Sequence, residues 1–172
     1  MRIHIIGGSG AGKTYISKEL SKSHKLSIVD LDKFEWVNIN GISQKRDPKE
    51  KEKMLKESLK KDNIILEGVY YKWCNSSFKK CDYIFYLKTP LIIQQFRIIR
   101  RSIRRKLGLE KSYFKETFKS VMNLLKWNIK YNTKYKKDIS NLLENYKSKV
   151  YNVSGYKDIL NVLGGKKWKI YQ

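Results

Sequence analysis

Eight residues near the start of the chain, Gly7-Gly8-Ser9-Gly10-Ala11-Gly12-Lys13-Thr14, carry the densest chemical potential in the sequence. They satisfy the pattern G-x-x-x-x-G-K-[ST], with an apolar run, Ile3 to Ile6, before them and a helical pattern, Lys13 to His24, after them. Glycines at this spacing let successive backbone N–H groups point at phosphate oxygens, and the following helix turns its positive end toward the same anion. Lys13 then reaches the β- and γ-phosphates of a nucleoside triphosphate, and the Thr14 hydroxyl ligates Mg²⁺. The cofactors expected are ATP and Mg²⁺.

Three further groups close strands or follow them. Asp30 and Asp32 sit two residues apart at the end of a short apolar segment, so both carboxylates leave the same side of an extended chain. One can organise the metal's water and the other can take a proton from a substrate hydroxyl, with Asp32 the expected base. Glu67-Gly68 ends the run Ile64-Ile65-Leu66. There a carboxylate can hold a metal-bound water or a substrate donor, and the glycine lets the backbone approach a ligand. Thr14, Asp30 and Glu67 are the expected metal-side residues. The chain's seven arginines are unevenly spread, five of them falling between Arg97 and Arg105. A chain that otherwise prefers lysine and keeps arginine in one segment is using the planar guanidinium fork there. Arg97, Arg101 and Arg104 are expected to stabilise charge on a transferring phosphoryl group. Arg46, Trp36 and Tyr70 are candidates for the wall of an acceptor pocket.

The elements that must position these residues alternate. Strands are expected at Ile3–Ile6, Leu26–Leu31, Asn63–Gly68, Tyr83–Lys88 and Lys149–Val153. Between them the pattern predicts helices at Lys13–His24, from Asp47 to about Lys61, from Thr89 to about Leu107, from Ser112 to about Tyr135, from Asp138 to Tyr146 and at Tyr156–Leu163. Asp47-Pro48-Lys49-Glu50 is a helix start with cap, N1 proline and capping-box acid. In the arginine segment, Ile92, Phe96, Ile99, Ile103 and Leu107 keep helical spacing and read as the inward stripe, with Gly108 ending the helix. The stretch around Asn38, Asn40 and Gly41 reads as loop. Apolar strands without alternation, separated by helices, imply an α/β domain whose parallel sheet is covered on both faces.

At 172 residues, 41% hydrophobic and 13% aromatic, the chain is expected to form one globular domain over residues 1–172. An acceptor-binding region is expected at about 32–62 and an arginine lid at about 91–111. No apolar run approaches the roughly 20 residues that span a bilayer. Met1 leads straight into the first strand pattern without a secretory leader, and Cys74 and Cys81 match no zinc or redox spacing, so reduced thiols and a cytoplasmic location are expected. The net charge of +22 admits a nucleic-acid partner, although a Lys-, Ile- and Asn-rich chain with the single alanine Ala11 also fits compositional bias. The principal expectation is phosphoryl transfer to a small hydroxylated or phosphorylated acceptor. A nucleotide-dependent nucleic-acid binder is the alternative.

The opening Met-Arg-Ile-His-Ile-Ile-Gly-Gly-Ser-Gly-Ala-Gly-Lys-Thr, Asp-Leu-Asp at 30–32, Leu-Glu-Gly-Val-Tyr-Tyr at 66–71, the Arg-Ile-Ile-Arg-Arg run and Leu-Leu-Lys-Trp-Asn at 124–128 together resemble bacterial DNA topology modulation (FlaR-type) proteins. These are similar to the adenylate kinase and shikimate kinase branch of P-loop kinases. The resemblance runs to about residue 163. It implies a three-layer P-loop fold with a five-stranded parallel sheet in the order 2-3-1-4-5, with Lys13 and Thr14 on the ATP phosphates and Mg²⁺. It also implies that Asp32 is the acceptor-side acid and that Glu67-Gly68 stand where adenylate kinases carry Asp-Gly. Adenylate kinases continue with Phe-Pro-Arg, whereas Val69-Tyr70-Tyr71 follow here, so these positions supply no arginine for an acceptor phosphate.

Overall fold

A computed structural model of the chain describes residues 1–39, 42–110 and 117–164. Strand β1 (Arg2–Ile6) leads into α1 (Lys13–His24), then β2 (Ser27–Asp30), a single-turn helix α2 (Asp32–Glu35) and strands β3 (Trp36–Ile39) and β4 (Ile42–Lys45). There follow α3 (Pro48–Ser58), β5 (Ile64–Gly68), α4 (Asn75–Lys80), β6 (Tyr83–Leu87), α5 (Leu91–Lys106), α6 (Phe118–Glu144), β7 (Val150–Val153) and α7 (Tyr156–Gly164).

Five strands form a parallel sheet ordered β2-β5-β1-β6-β7. The numbering departs from 2-3-1-4-5 only because β3 and β4 interpose a separate antiparallel hairpin. The inner strands β5 and β6, which flank central β1, are buried along their whole length, as expected of strands covered on both faces. One core layer joins Leu55, Leu59, Phe78, Tyr131, Ile139 and Leu143 to one face of the sheet, and the other joins Ile16, Leu20, Ile159 and Leu163 to the opposite face. The sheet is thus sandwiched between helices, and its carboxyl edge, where open α/β sheets bind ligands, collects the ends of β1, β2 and β5.

Several boundaries differ from expectation. The presumed loop around Asn38 is the β3–β4 hairpin, with Trp36 opposite Lys45 and Asn38 opposite Ser43; Asn40 and Gly41 lie outside the described residues. The two helices expected over 112–146 are one, α6, because nothing between Tyr135 and Asp138 can break it. Its start is fixed by a capping box, in which the Thr117 hydroxyl accepts from the Ser120 amide at 3.1 Å and the Ser120 hydroxyl accepts from the Thr117 amide. Ser112 and Phe114, expected in that helix, lie outside the described residues. The Asp47 cap forms as anticipated, accepting from the Lys49 amide at 2.9 Å.

The largest correction concerns α5. Its supposed inward stripe faces solvent, with Ile92 77%, Phe96 66% and Leu107 66% exposed. The buried face instead carries Gln94, Ile98 and Ser102. Gly108 ends the helix as expected, in a left-handed conformation (φ 73°). Its amide bonds the Arg105 carbonyl and the Leu109 amide bonds that of Arg104, which makes a Schellman cap.

Candidate active site

The Gly7–Thr14 loop bridges β1 and α1, and its shape is imposed by close neighbours. Gly10 and Gly12 take positive φ (75° and 105°). A side chain on Gly8 would stand 2.3 Å from Gln94 Oε1, and one on Gly10 would stand 2.5 Å from the Gln94 carbonyl. The loop is therefore backed directly by the start of α5.

The backing is a chain of hydrogen bonds whose direction is fixed at both ends. The Ser9 amide can only donate, so it sets Asn128 Oδ1 as its acceptor at 3.0 Å. Asn128 Nδ2 must then donate to Gln94 Oε1 (3.1 Å), and Gln94 Nε2 donates to the Thr89 carbonyl (2.7 Å). Asn132 bridges the same pair, donating to Gln94 Oε1 at 3.1 Å and accepting from Gln94 Nε2 at 2.9 Å. Gln94 and Asn128 are buried, and every polar atom of the two amides is used. The Thr89 hydroxyl adds a bond to the Ala11 carbonyl (2.9 Å). Sequence reasoning passed over Gln94, Asn128 and Asn132. Their signal was uncharged amides recurring on helices, with Asn128 and Asn132 one turn apart.

Lys13 folds back over the loop, its ammonium donating to the Gly7 and Gly8 carbonyls at 3.0 and 2.9 Å. Burial lowers its pKa, opposed by the carboxylates of Glu67, Asp32 and Asp30 and reinforced by Arg101. The same balance, seen from the acids, shows that the three carboxylates expected from sequence gather around Lys13. Thr14 Oγ1 donates to Glu67 Oε1 at 2.7 Å. Glu67 is 4% exposed, and burial raises its pKa against the pull of Lys13 and the Thr14 hydroxyl. Asp30 pairs with Glu67 in strand register, and burial together with the Asp32 charge raises its pKa as well. Asp32 opens α2 and accepts a 2.7 Å bond from the Tyr70 hydroxyl. The pKa of Tyr70 is pushed up by burial and by that carboxylate, which keeps the phenol a donor.

The arginines divide. Arg97 donates to the Gly10 and Ala11 carbonyls at 3.3 and 3.2 Å, so it grips the loop backbone itself. Arg101, one turn on and half-buried, lies close enough for its charge to act on Lys13. Arg104 lies two turns beyond Arg97, about 10 Å further along the helix axis, and stands 3.9 Å from Glu110. The Arg46 guanidinium bonds the Phe34 carbonyl and Glu50, each at 3.2 Å, which ties α2 to the start of α3; it does not line the cleft described below.

Between the loop and the β3–β4 hairpin lies a cleft of about 590 Å³, lined by Ser9, Asp32, Trp36, Tyr70, Asn123 and Trp127 among others. Trp36 and Tyr70 both line it, and a Cβ on Gly68 would stand 3.0 Å from Leu31 and 3.2 Å from Tyr70, a tight fit. Glu35 lies at the cleft wall, 7% exposed and bonded to Lys51 at 2.7 Å, with Lys45 at 3.9 Å.

The residues suit a magnesium nucleotide. The loop offers backbone amides beside an ammonium, and Thr14, Glu67 and Asp30 offer oxygens at one spot. Among the described residues no group of three or more His, Cys, Asp or Glu could cage a metal by itself. Mg²⁺ keeps waters and phosphate oxygens as ligands and needs only one or two protein oxygens. No described helix is long and apolar enough to cross a membrane. Cys74 and Cys81 are free and buried.

No protein-family model matches the chain. The uncharacterized protein YqaC of Bacillus subtilis (strain 168) is 29% identical over 104 residues, 60% of this chain and only 57% of that protein's length. Among solved structures, the fold is similar to shikimate kinase from Acinetobacter baumannii in complex with shikimate, with a TM-score of 0.55 at 17% identity over 98% of this chain and 95% of that one. Shikimate kinase from Bacteroides thetaiotaomicron gives 0.59 at 13% identity over 95% and 98%. Deoxyadenosine kinase from M. mycoides with bound dATP gives 0.55 at 17% over 95% and 99%. The chain has the P-loop kinase fold.

Proposed function

We propose that this protein binds ATP·Mg²⁺ on the Gly7–Thr14 loop and transfers the γ-phosphoryl group to a hydroxyl of a small acceptor held between Asp32, Trp36, Tyr70 and Trp127. One observation carries the reading: a single cleft runs from Ser9 of the phosphate loop to Asp32, so both substrates share one wall. The magnesium nucleotide supplies the electrophilic phosphorus and neutralises its charge. The chain's own groups do the rest. Lys13 exchanges its two carbonyl bonds for phosphate oxygens, which fits an ammonium already desolvated beside carboxylates. Thr14 and Glu67, with Asp30 beside them, hold the metal and its waters. Asp32, kept in place by the Tyr70 hydroxyl, orients the acceptor hydroxyl and receives its proton. Arg97 keeps the loop in its binding shape, and Arg101 adds positive charge next to Lys13 where the transferring group passes.

Acceptor-dependent ADP release tests the reading. Lys13→Ala and Asp32→Asn should each lower turnover by about a hundredfold or more. If no hydroxylated compound raises ADP release above slow hydrolysis, and Lys13→Ala leaves that hydrolysis unchanged, the proposal fails.

A further inference from the structure

We infer that the acceptor is a nucleoside, bound through its base by aromatic stacking and phosphorylated on a sugar hydroxyl. This rests on the phosphoryl-transfer reading above and adds the class of molecule in the acceptor half of the cleft.

The first ground is the wall. Trp36, Tyr70 and Trp127 line the main cleft. A recess of about 290 Å³ opens off it, sharing Tyr70, Trp127, Val69 and Glu35 and adding Tyr71, Trp73 and Tyr131. Their rings meet at tilted angles, with Tyr70 and Trp73 centroids 5.4 Å apart and Trp127 and Tyr131 centroids 5.3 Å apart. The combined space lies in the range of about 300–1,000 Å³ typical of small-ligand sites. A flat ring gains most from such walls, whereas a saturated polyol would desolvate its hydroxyls against them.

The second ground is charge. No arginine lines either cavity. Lys45 stands 3.9 Å from Glu35 and over the Trp36 ring, Lys51 is bonded to Glu35, and Lys72 lies over the Tyr71 ring. Asp32 and Glu35 are the acids on the wall. Lys45 lines both cavities and Lys72 the recess, but a carboxylate or phosphate on the acceptor would meet those acids without a guanidinium fork to receive it, which favours an uncharged acceptor.

In the step itself the nucleoside hydroxyl oxygen forms a bond to the γ-phosphorus, and the bond from that phosphorus to the β–γ bridging oxygen breaks. ADP leaves, and the hydroxyl proton passes to Asp32.

The experiment offers the wild-type protein with ATP·Mg²⁺ four purine and pyrimidine nucleosides, their 5′-monophosphates, and shikimate as a ring-saturated, anionic acceptor. ADP release and intrinsic tryptophan fluorescence are read together, with Trp127→Leu and Trp36→Leu alongside. The inference expects a nucleoside to be phosphorylated, with KM raised about five- to a hundredfold in Trp127→Leu and kcat nearly kept. Transfer to shikimate or to a monophosphate, with nucleosides inert, overturns the inference and leaves the phosphoryl-transfer reading standing. Nucleoside phosphorylation with KM unchanged in both tryptophan variants overturns the stacking mode. Fluorescence changes saturating with a nucleoside but without ADP release support the occupant and overturn the transfer reading. No transfer and no fluorescence response with any compound overturns both.

Discussion

Truncating Asn128 to alanine should loosen the phosphate loop from behind without touching any residue that meets substrate. The side chain makes two short bonds in a fully buried position, accepting from the Ser9 amide at 3.0 Å and donating to Gln94 Oε1 at 3.1 Å, and Asn128 Oδ1 accepts a longer third one from Asn132 at 3.5 Å. Gln94 Oε1 keeps Asn132 as a second donor, so its loss is partial. The Ser9 amide is left with no protein partner in a half-buried site, which costs about 1–3 kcal/mol. Urea unfolding followed by tryptophan fluorescence, without nucleotide, should show that loss. Titration calorimetry with ATP should show a Kd raised about fivefold or more, because the loop must be ordered at the moment of binding. Asn128→Asp separates the two bonds: it keeps the acceptor for Ser9 but sets a carboxylate oxygen against Gln94 Oε1, so it should restore loop affinity less than it restores the amide's partner. If Asn128→Ala unfolds within about 0.5 kcal/mol of wild type and binds ATP as tightly, the amide chain does not hold the loop.

Two further outcomes follow from burial. His4 is fully buried in β1, where the Ser77 hydroxyl spends its proton on the Cys74 carbonyl, so His4 Nδ1 donates to Ser77 Oγ at 2.7 Å and Nε2 is left without a partner. Burial lowers the His4 pKa to about 3; the unfolded state therefore binds the proton first, and the His4 contribution is complete above about pH 6.5 and lost as pH falls toward 3, at about 1.4 kcal/mol per pH unit. Urea midpoints at pH 7 and pH 5 should show that slope in wild type and not in His4→Gln. On α5, Phe96→Ser and Ile103→Ser should each change stability by less than about 0.5 kcal/mol, whereas Ile98→Ala, 2% exposed in the wild type, should cost about 2–4 kcal/mol in the same assay; large losses at Phe96 would mean that the helix is rotated.

The shape of the Gly7–Thr14 loop was legible because it rests on backbone requirements, positive φ at Gly10 and Gly12, that only a few residue types meet. The placement of the acids was legible too: Asp30 and Glu67 pair across adjacent strands at the carboxyl edge, where open α/β sheets bind ligands. Helix α5 was not. Its periodicity defined two faces without saying which one faced inward, and the apolar stripe from Ile92 to Leu107 was the natural choice. The polar face won because Gln94 satisfies a backbone carbonyl and two asparagines beneath the loop, a demand that arises only after α5, α6 and the loop have come together. The β3–β4 hairpin was hidden for a related reason, since Asn38 and Ser43 carry turn chemistry yet sit opposite each other in a ladder whose partners lie on either side of Asn40-Gly41. Arg46 looked free in sequence because the carbonyl that holds it, that of Phe34, belongs to an element 12 residues earlier.

Neighbouring residues of α6 serve the two halves of the cleft. Asn128 holds the Ser9 amide of the Gly7–Thr14 loop, while Trp127, adjacent in sequence, lines the cleft on the side proposed for the acceptor. If the two proposed ligands bind there, any rotation of this helix that tightens one contact must shift the other, which would link them thermodynamically. By reciprocity, whatever factor the nucleotide imposes on the acceptor's dissociation constant, the acceptor imposes on the nucleotide's. The order in which substrates arrive then becomes a question of rates alone, since both routes close the same cycle of binding free energies.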